Sequence, residues 1–353
     1  MRASPLARFL LLAYVLLTAY ASLYPLAGWR DPGASALSFL IAPWPRYVTA
    51  FDLGANFFGY VPYGLLCALA LHPQLRGGAA ALAAFASGAA LSLALEAAQS
   101  FLPARIPSNV DVLANLAGVA AGGLAGARLA PRLLDGGSPK RLRAQAFAPG
   151  THADLGLTLL GLWLFAQLNP ATLLFGSGDL RDLLAAPAGP ARRAELFVSI
   201  EALTAAANLV AVAMLASAMV NQGAPLRAML AALLAAALVV KTLAFAILMR
   251  AENVLAWLTP GAQLGLGAGV VLMLVAVALP RTARLALAAV LIMAATVLVN
   301  LAPPNPYLAA ILKVWGQGHF LHFNGLTRLV SAAWPFAALA YLILLAAPRG
   351  RAG

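Results

Sequence analysis

Hydrophobic positions in this chain come in long, nearly unbroken runs separated by short polar segments. A membrane-spanning helix needs about 20 mostly apolar residues. Ten stretches meet that requirement, at 6–26, 53–71, 79–101, 111–130, 154–175, 196–220, 226–249, 262–279, 284–302 and 329–347. The eighth is short and the tenth contains Pro335, which membrane helices tolerate. The pattern predicts an all-α, polytopic transmembrane helix bundle of about ten spans. The first run has Arg2 and Arg8 at its start and passes Ala19-Tyr20-Ala21, which resembles a signal cleavage site. Its apolar character continues to Leu26, which suits an uncleaved span.

Composition narrows the class. Of 353 residues, 63% are hydrophobic and 10% charged, against about 25% charged in soluble domains. Mean hydropathy is +0.88. Too few polar residues exist to cover a soluble core, so a cytosolic enzyme and a disordered chain are excluded. Cys67 is the one cysteine, so neither an intrachain disulfide nor a cysteine-based metal site is possible. It reads as a small packing residue.

The net charge of +12 would suggest nucleic acid in a soluble protein. Its distribution points instead to orientation. With the N-terminus inside, 13 of the 23 Lys and Arg fall on the inner side against two acids, and nine fall outside against seven acids. Basic residues are retained on the cytoplasmic side, so the expected topology is N-in, C-in in the cytoplasmic (inner) membrane. Arg132, Lys140, Arg141 and Arg143 give the strongest signal. Their segment, 131–153, is expected to be a basic cytoplasmic linker between a four-helix module at 1–130 and a six-helix region at 154–353. Gly118, Gly122 and Gly126, and likewise Gly261, Gly265 and Gly269, recur every fourth residue. Such ladders let helix backbones approach closely.

Polar residues inside a membrane are costly and mark functional candidates. Asp52 and Asn56 open the second run, Glu96 and Gln99 close the third, and Asp111 and Asn115 open the fourth. Arg105 lies in the connector between the last two. Spacings of three or four place each pair on one helix face. All seven therefore belong to the outer end of the bundle. They form either a structural network, with Arg105 neutralising a carboxylate and Asp52 and Asp111 capping helix starts, or a pocket for a polar headgroup. The excess of acids favours an amine or a cation-bridged phosphate over a simple anion.

The pattern Asn56-x5-Pro62-x-Gly64, Glu96-x2-Gln99-x5-Arg105-x5-Asp111-x3-Asn115-x2-Gly118 resembles the VanZ-like family of membrane proteins. Ser22-Leu23-Tyr24-Pro25 fits as well, so the likeness covers roughly residues 14–130. It implies an integral membrane protein of the cell envelope. The family's namesake is associated with glycopeptide antibiotic resistance, and the resemblance implies no reaction. This chain adds six helices to the short family form.

In the second half, Glu201 and Lys241 fall at depths that permit an intramembrane ion pair, and Lys241 could alternatively snorkel to the surface. Asn208 and Asn300 read as interhelical hydrogen-bonding groups. His319-x2-His322 has metal-ligand spacing without an acidic partner nearby in sequence, so no metal and no cofactor are expected. There is no Walker A motif, no G-x-S-x-G elbow and no H-E-x-x-H, and enzymatic activity stays open. The expected partners are membrane lipids and a lipid-linked or glycopeptide-type ligand, with no nucleic acid. A secondary transporter and a non-catalytic scaffold are the alternative roles.

Overall fold

The structure, a computed structural model, describes residues 3–181, 194–248, 253–303, 305–308 and 321–347. Among the described residues it is all-helical. The chain forms two compact units, Met1–Gln145 and Ala146–Gly353.

The first unit holds α1 (Pro5–Leu23), α2 (Ala50–Leu71), α3 (Gly77–Gln99), α4 (Asn109–Ala130) and α5 (Ser138–Ala146). The second holds α6 (Thr151–Ala166), α7 (Ala194–Ser217), α8 (Leu226–Leu248), α9 (Pro260–Ala276), α10 (Arg281–Leu301) and α11 (Leu321–Ala346). Eight of these eleven helices are long and apolar enough to cross a membrane. The expected fifth and eighth spans are shorter, at 16 residues in α6 and 17 in α9. At 1.5 Å per residue, α6 reaches about 24 Å, less than the hydrocarbon core. It stops early because Pro170 follows, and the residue before a proline avoids helical geometry. The 131–153 segment contains helical structure. A π-helical turn, Pro131–Asp135, prolongs α4, and the basic stretch folds as α5.

In the first unit, α4 lies directly on α2 through its small-residue ladder. A Cβ added at Gly118 would meet the Phe57 carbonyl, one at Gly122 the Val61 carbonyl and one at Gly126 the Leu65 carbonyl. Gly64 answers from α2, against the backbone of Val119 and Gly123. Only hydrogen fits at these crossings. Tyr60, Tyr63, Cys67, Ala68, Ala84 and Val119 form the adjoining core. Cys67 is buried there as a packing residue.

The second unit is built around α7, whose residues from Ala205 to Ser217 are nearly all buried. An all-round apolar helix needs cover on every side. The α9 ladder supplies one side: Gly261, Gly265 and Gly269 sit against Val198, Ala202 and Ala206 of α7. On another face of the unit, α11 is tied to α6 by two hydrogen bonds. Trp334 Nε1 donates to the Leu159 carbonyl at 2.8 Å, and the Tyr341 hydroxyl donates to the His152 carbonyl at 2.9 Å.

Pro335 has a specific consequence. Lacking an N–H, it leaves the carbonyl of Ser331 without its helical donor. The Gly178 N–H takes that carbonyl at 2.7 Å. Gly178 has φ +85°, and a Cβ there would strike Thr296 and Pro335 at under 3.0 Å. Asn300 grips the same loop, donating to the Gly178 carbonyl and accepting from the Leu180 N–H. Asn300 thus binds a loop in addition to the Thr296 carbonyl of its own helix. Asn208 donates within its own helix, to the Thr204 carbonyl, and not between helices.

Candidate functional site

The end of the first unit where α1 stops, α2 starts, α3 stops and α4 starts is polar. Each helix terminus brings its own requirements there. Thr49 and Asp52 form a capping box at the start of α2. Ser108 caps α4 by accepting from the Val110 and Asp111 N–H groups. Glu96 then accepts the Ser108 N–H at 3.0 Å. The α3 carboxylate is thereby tied to the start of α4, where the helix dipole favours negative charge.

Arg105 reaches the backbone of α1 as well as the neighbourhood of Glu96. Its Nε donates to the Tyr24 carbonyl at 3.1 Å and its Nη2 to the Ala21 carbonyl. Gln99 Nε2 donates to the Ser22 carbonyl at 3.0 Å. Two side chains from the α3–α4 region therefore clasp the carbonyl end of α1, which wants both donors and positive charge. Burial pulls the guanidinium pKa below its ordinary value, and nearby Glu96 opposes this.

The seven predicted residues lie at this one end, most of them in mutual reach. Asp111 faces Asn56 as a hydrogen-bond partner and Asp52 as a like charge; Glu96 interacts through space with Asp111 and Arg105. Exposure falls along the group. Asp52 is exposed, Asn56, Arg105 and Asp111 are half-buried, and Glu96, Gln99 and Asn115 are buried. Asn115 Nδ2 donates to Ser92 Oγ at 3.0 Å, while its Oδ1, fully enclosed, has no partner.

Ser92 and Tyr60 belong to the group as well. Tyr60 interacts with the Ser92 hydroxyl and with Glu96. A sequence signal for both exists. Asn56 to Tyr60 and Ser92 to Glu96 are four residues apart, so each polar stripe continues one turn inward.

A second feature frames this end. Residues 24–49 run over the α3–α4 connector. Arg30 N–H bonds the Phe101 carbonyl, Ser100 Oγ the Ala36 carbonyl, and Asn109 Nδ2 the Ala42 carbonyl. This segment exposes Ile41, Trp44 and Tyr47, and the connector exposes Ile106. Aromatic and aliphatic side chains held outward beside polar groups suit the membrane–water interface.

In the second unit, Glu201 and Lys241 interact through space but take their hydrogen bonds elsewhere. Glu201 accepts from the Thr259 hydroxyl, the N-cap of α9. Lys241 does not snorkel: it is 1% exposed. Its Nζ donates to the Asn169 carbonyl at 2.7 Å, the Thr172 carbonyl at 2.9 Å and Thr172 Oγ1 at 3.2 Å. It closes the turn after α6, where carbonyls lack helical donors. His319 and the side chain of His322 lie outside the described residues. Among the described residues, no group of three His, Cys, Asp or Glu could hold a metal ion.

A family model described as VanZ/LLP1 matches residues 9–129, the N-terminal third of the chain, from within α1 to the last turn of α4. No curated protein and no solved structure matches the chain.

Proposed function

We propose, from the premise that residues 9–129 form a VanZ-like domain in a membrane-helical chain, that the polar end of this domain recognises the headgroup of an envelope lipid, glycan or glycopeptide-type ligand. In this reading the polar end lies at the outer face of the cytoplasmic membrane. The observation that carries it is the buried Oδ1 of Asn115, which has no partner beside three carboxylates and one guanidinium already committed to α1 carbonyls. Buried polar atoms in folded proteins are normally satisfied. A donor entering past Asp52 and Asp111 toward Glu96 and Asn115 would complete the set. Its chemistry is an amine, or a phosphate carried by a bridging cation, because acids outnumber bases here. The outward Trp44, Tyr47 and Ile41 side chains support a ligand presented at the membrane surface.

A transport role for Glu201 and Lys241 is less well supported. Both already serve helix termini, and coupling would require them to give up those hydrogen bonds.

The test is native mass spectrometry of the full chain released from lipid nanodiscs. Wild type is expected to retain an amine- or phosphate-bearing adduct. Glu96→Gln and Asp111→Asn should each lower its occupancy about tenfold with unchanged melting temperature. An adduct profile that both variants share with wild type would overturn the proposal. So would a loss that follows only the amount of folded protein.

A further inference from the structure

The second unit contains a cavity of about 170 Å³ beside the loop that Pro335 captures. Thr172, Ser177, Asp179, Arg181, Phe197 and Ser331 are among its lining residues. Ser177 is 1% exposed and Ser331 2%, and neither hydroxyl has a hydrogen-bond partner. Side-chain hydroxyls this deep are normally satisfied. Here two of them, from separate elements, line one cavity. The bond from the Gly178 N–H to the Ser331 carbonyl brings the two elements together.

The charges at the wall are matched to one another. Asp179 accepts two bonds from the Arg181 guanidinium and one from the Arg181 backbone N–H, and Arg181 Nη1 also donates to the Ala302 carbonyl. Asp179 additionally faces Arg328 through space. An anion entering the cavity would have to displace Asp179, and a cation would be repelled by the guanidinium groups. Phe197, 1% exposed, supplies a flat apolar wall. Lys241 fixes the lining residue Thr172 through its carbonyl and hydroxyl. The volume is comparable with the roughly 150 Å³ cavity that accommodates one benzene ring.

We infer that this cavity is a binding site for one neutral, hydroxyl-bearing six-membered ring, such as a single sugar unit or a cyclic polyol. Ser177 and Ser331 exchange hydrogen bonds with its hydroxyls, the Asp179–Arg181 pair receives another edge, and Phe197 covers a face. The site is separate from the polar end of the VanZ-like domain and stands or falls independently of it.

The test is saturation-transfer difference NMR on the full chain in lipid nanodiscs, with glucose, N-acetylglucosamine, myo-inositol and inorganic phosphate as probes. At least one of the three neutral rings should receive saturation at millimolar concentration. In Ser177→Ala/Ser331→Ala that signal should fall at least fivefold, with melting unchanged, because two unpartnered hydroxyls are removed. Glu96→Gln should leave it intact. Ser331→Leu, which fills the space, serves as a second variant. Absence of any ring signal above that of Ser331→Leu means a water-filled space only, and overturns the inference. Saturation of phosphate competition, with phosphate displacing the ring, would overturn its neutral character.

Discussion

The two units face the same difficulty, polar groups among apolar helices, and resolve it differently. The first brings seven of its ionisable and amide side chains to one end, where several meet one another across α2, α3 and α4. The second gives its two deeply buried charges to helix termini: Glu201 serves the start of α9, and Lys241 the turn after α6. A carboxylate or ammonium spent on a terminus is fully used. A set of side chains facing each other leaves remainders, and Asn115 Oδ1 is one. Ionisable residues inside a membrane are therefore poor guides to function until their partners are known. The neutral hydroxyls of Ser177 and Ser331 are the better guide in the second unit.

The contrast can be broken most severely at the α2–α4 crossing. Gly122→Ala would place a Cβ 2.0 Å from the Val61 carbonyl oxygen. Overpacking of this kind costs about 1–3 kcal/mol and occasionally more. A clear drop in melting temperature and a loss of monodisperse protein on size exclusion are expected; wild-type melting would show that the polar end does not depend on this contact. Next comes Lys241→Met, which leaves the Thr172 carbonyl without its donor and takes one of two donors from the Asn169 carbonyl, the other being Thr172 Oγ1. Each buried orphan costs about 1–3 kcal/mol, so a fall in stability is expected. Glu201→Gln keeps an acceptor for Thr259 and should cost less. A double-mutant cycle over the two should yield coupling below about 0.5 kcal/mol. A larger value would mean that they act as a contact pair after all.

A smaller effect is expected from pH. Burial raises the pKa of Asp179, but the Arg181 hydrogen bonds outweigh it and hold the carboxyl below its ordinary value. A depressed folded-state pKa gives stability that is complete above the unfolded value, about 3.9, and is lost as pH falls through the folded one. Thermal melts of wild type and Asp179→Asn should therefore differ near pH 6 and converge as pH drops below about 4. Parallel curves throughout would remove Asp179 from the account. The smallest effect belongs to Gly267→Ala. Nothing lies within 4 Å of its Cβ position in α9, so melting should hold or rise, by at most about 1 kcal/mol.

Much of this was legible in the sequence, for identifiable reasons. Apolar runs define most of the helices, because length alone limits what crosses a bilayer. The i, i+4 spacings of Asp52–Asn56 and Asp111–Asn115, and the turn reversals between the runs, place the seven polar residues at one end. The partners of Arg105 and Lys241 were not legible. Both bind backbone carbonyls at helix ends, and every residue type carries the same carbonyl. The early stop of α6 was signalled by Pro170, yet the apolar residues beyond it masked the break. Helix α5 escaped notice because a basic stretch with few apolar residues shows no core-facing periodicity. The Ser177–Ser331 cavity depends on Pro335 freeing the Ser331 carbonyl for the Gly178 N–H, a donor far away along the chain.

The clasp on α1 also has a consequence in time. Its donors, Gln99 and Arg105, lie 77 to 84 residues downstream of the carbonyls they hold. At synthesis rates of about 5–20 residues per second, α1 exists for several seconds before either is made. During that interval α2 is its interhelical partner, through the Tyr14 hydroxyl that donates to the Gly59 carbonyl. Its surface suits this, with Leu12 and Leu16 outward and Ala7 its one buried residue. The first helix is thus built to wait, and its fastening arrives only when the polar end of the domain is assembled.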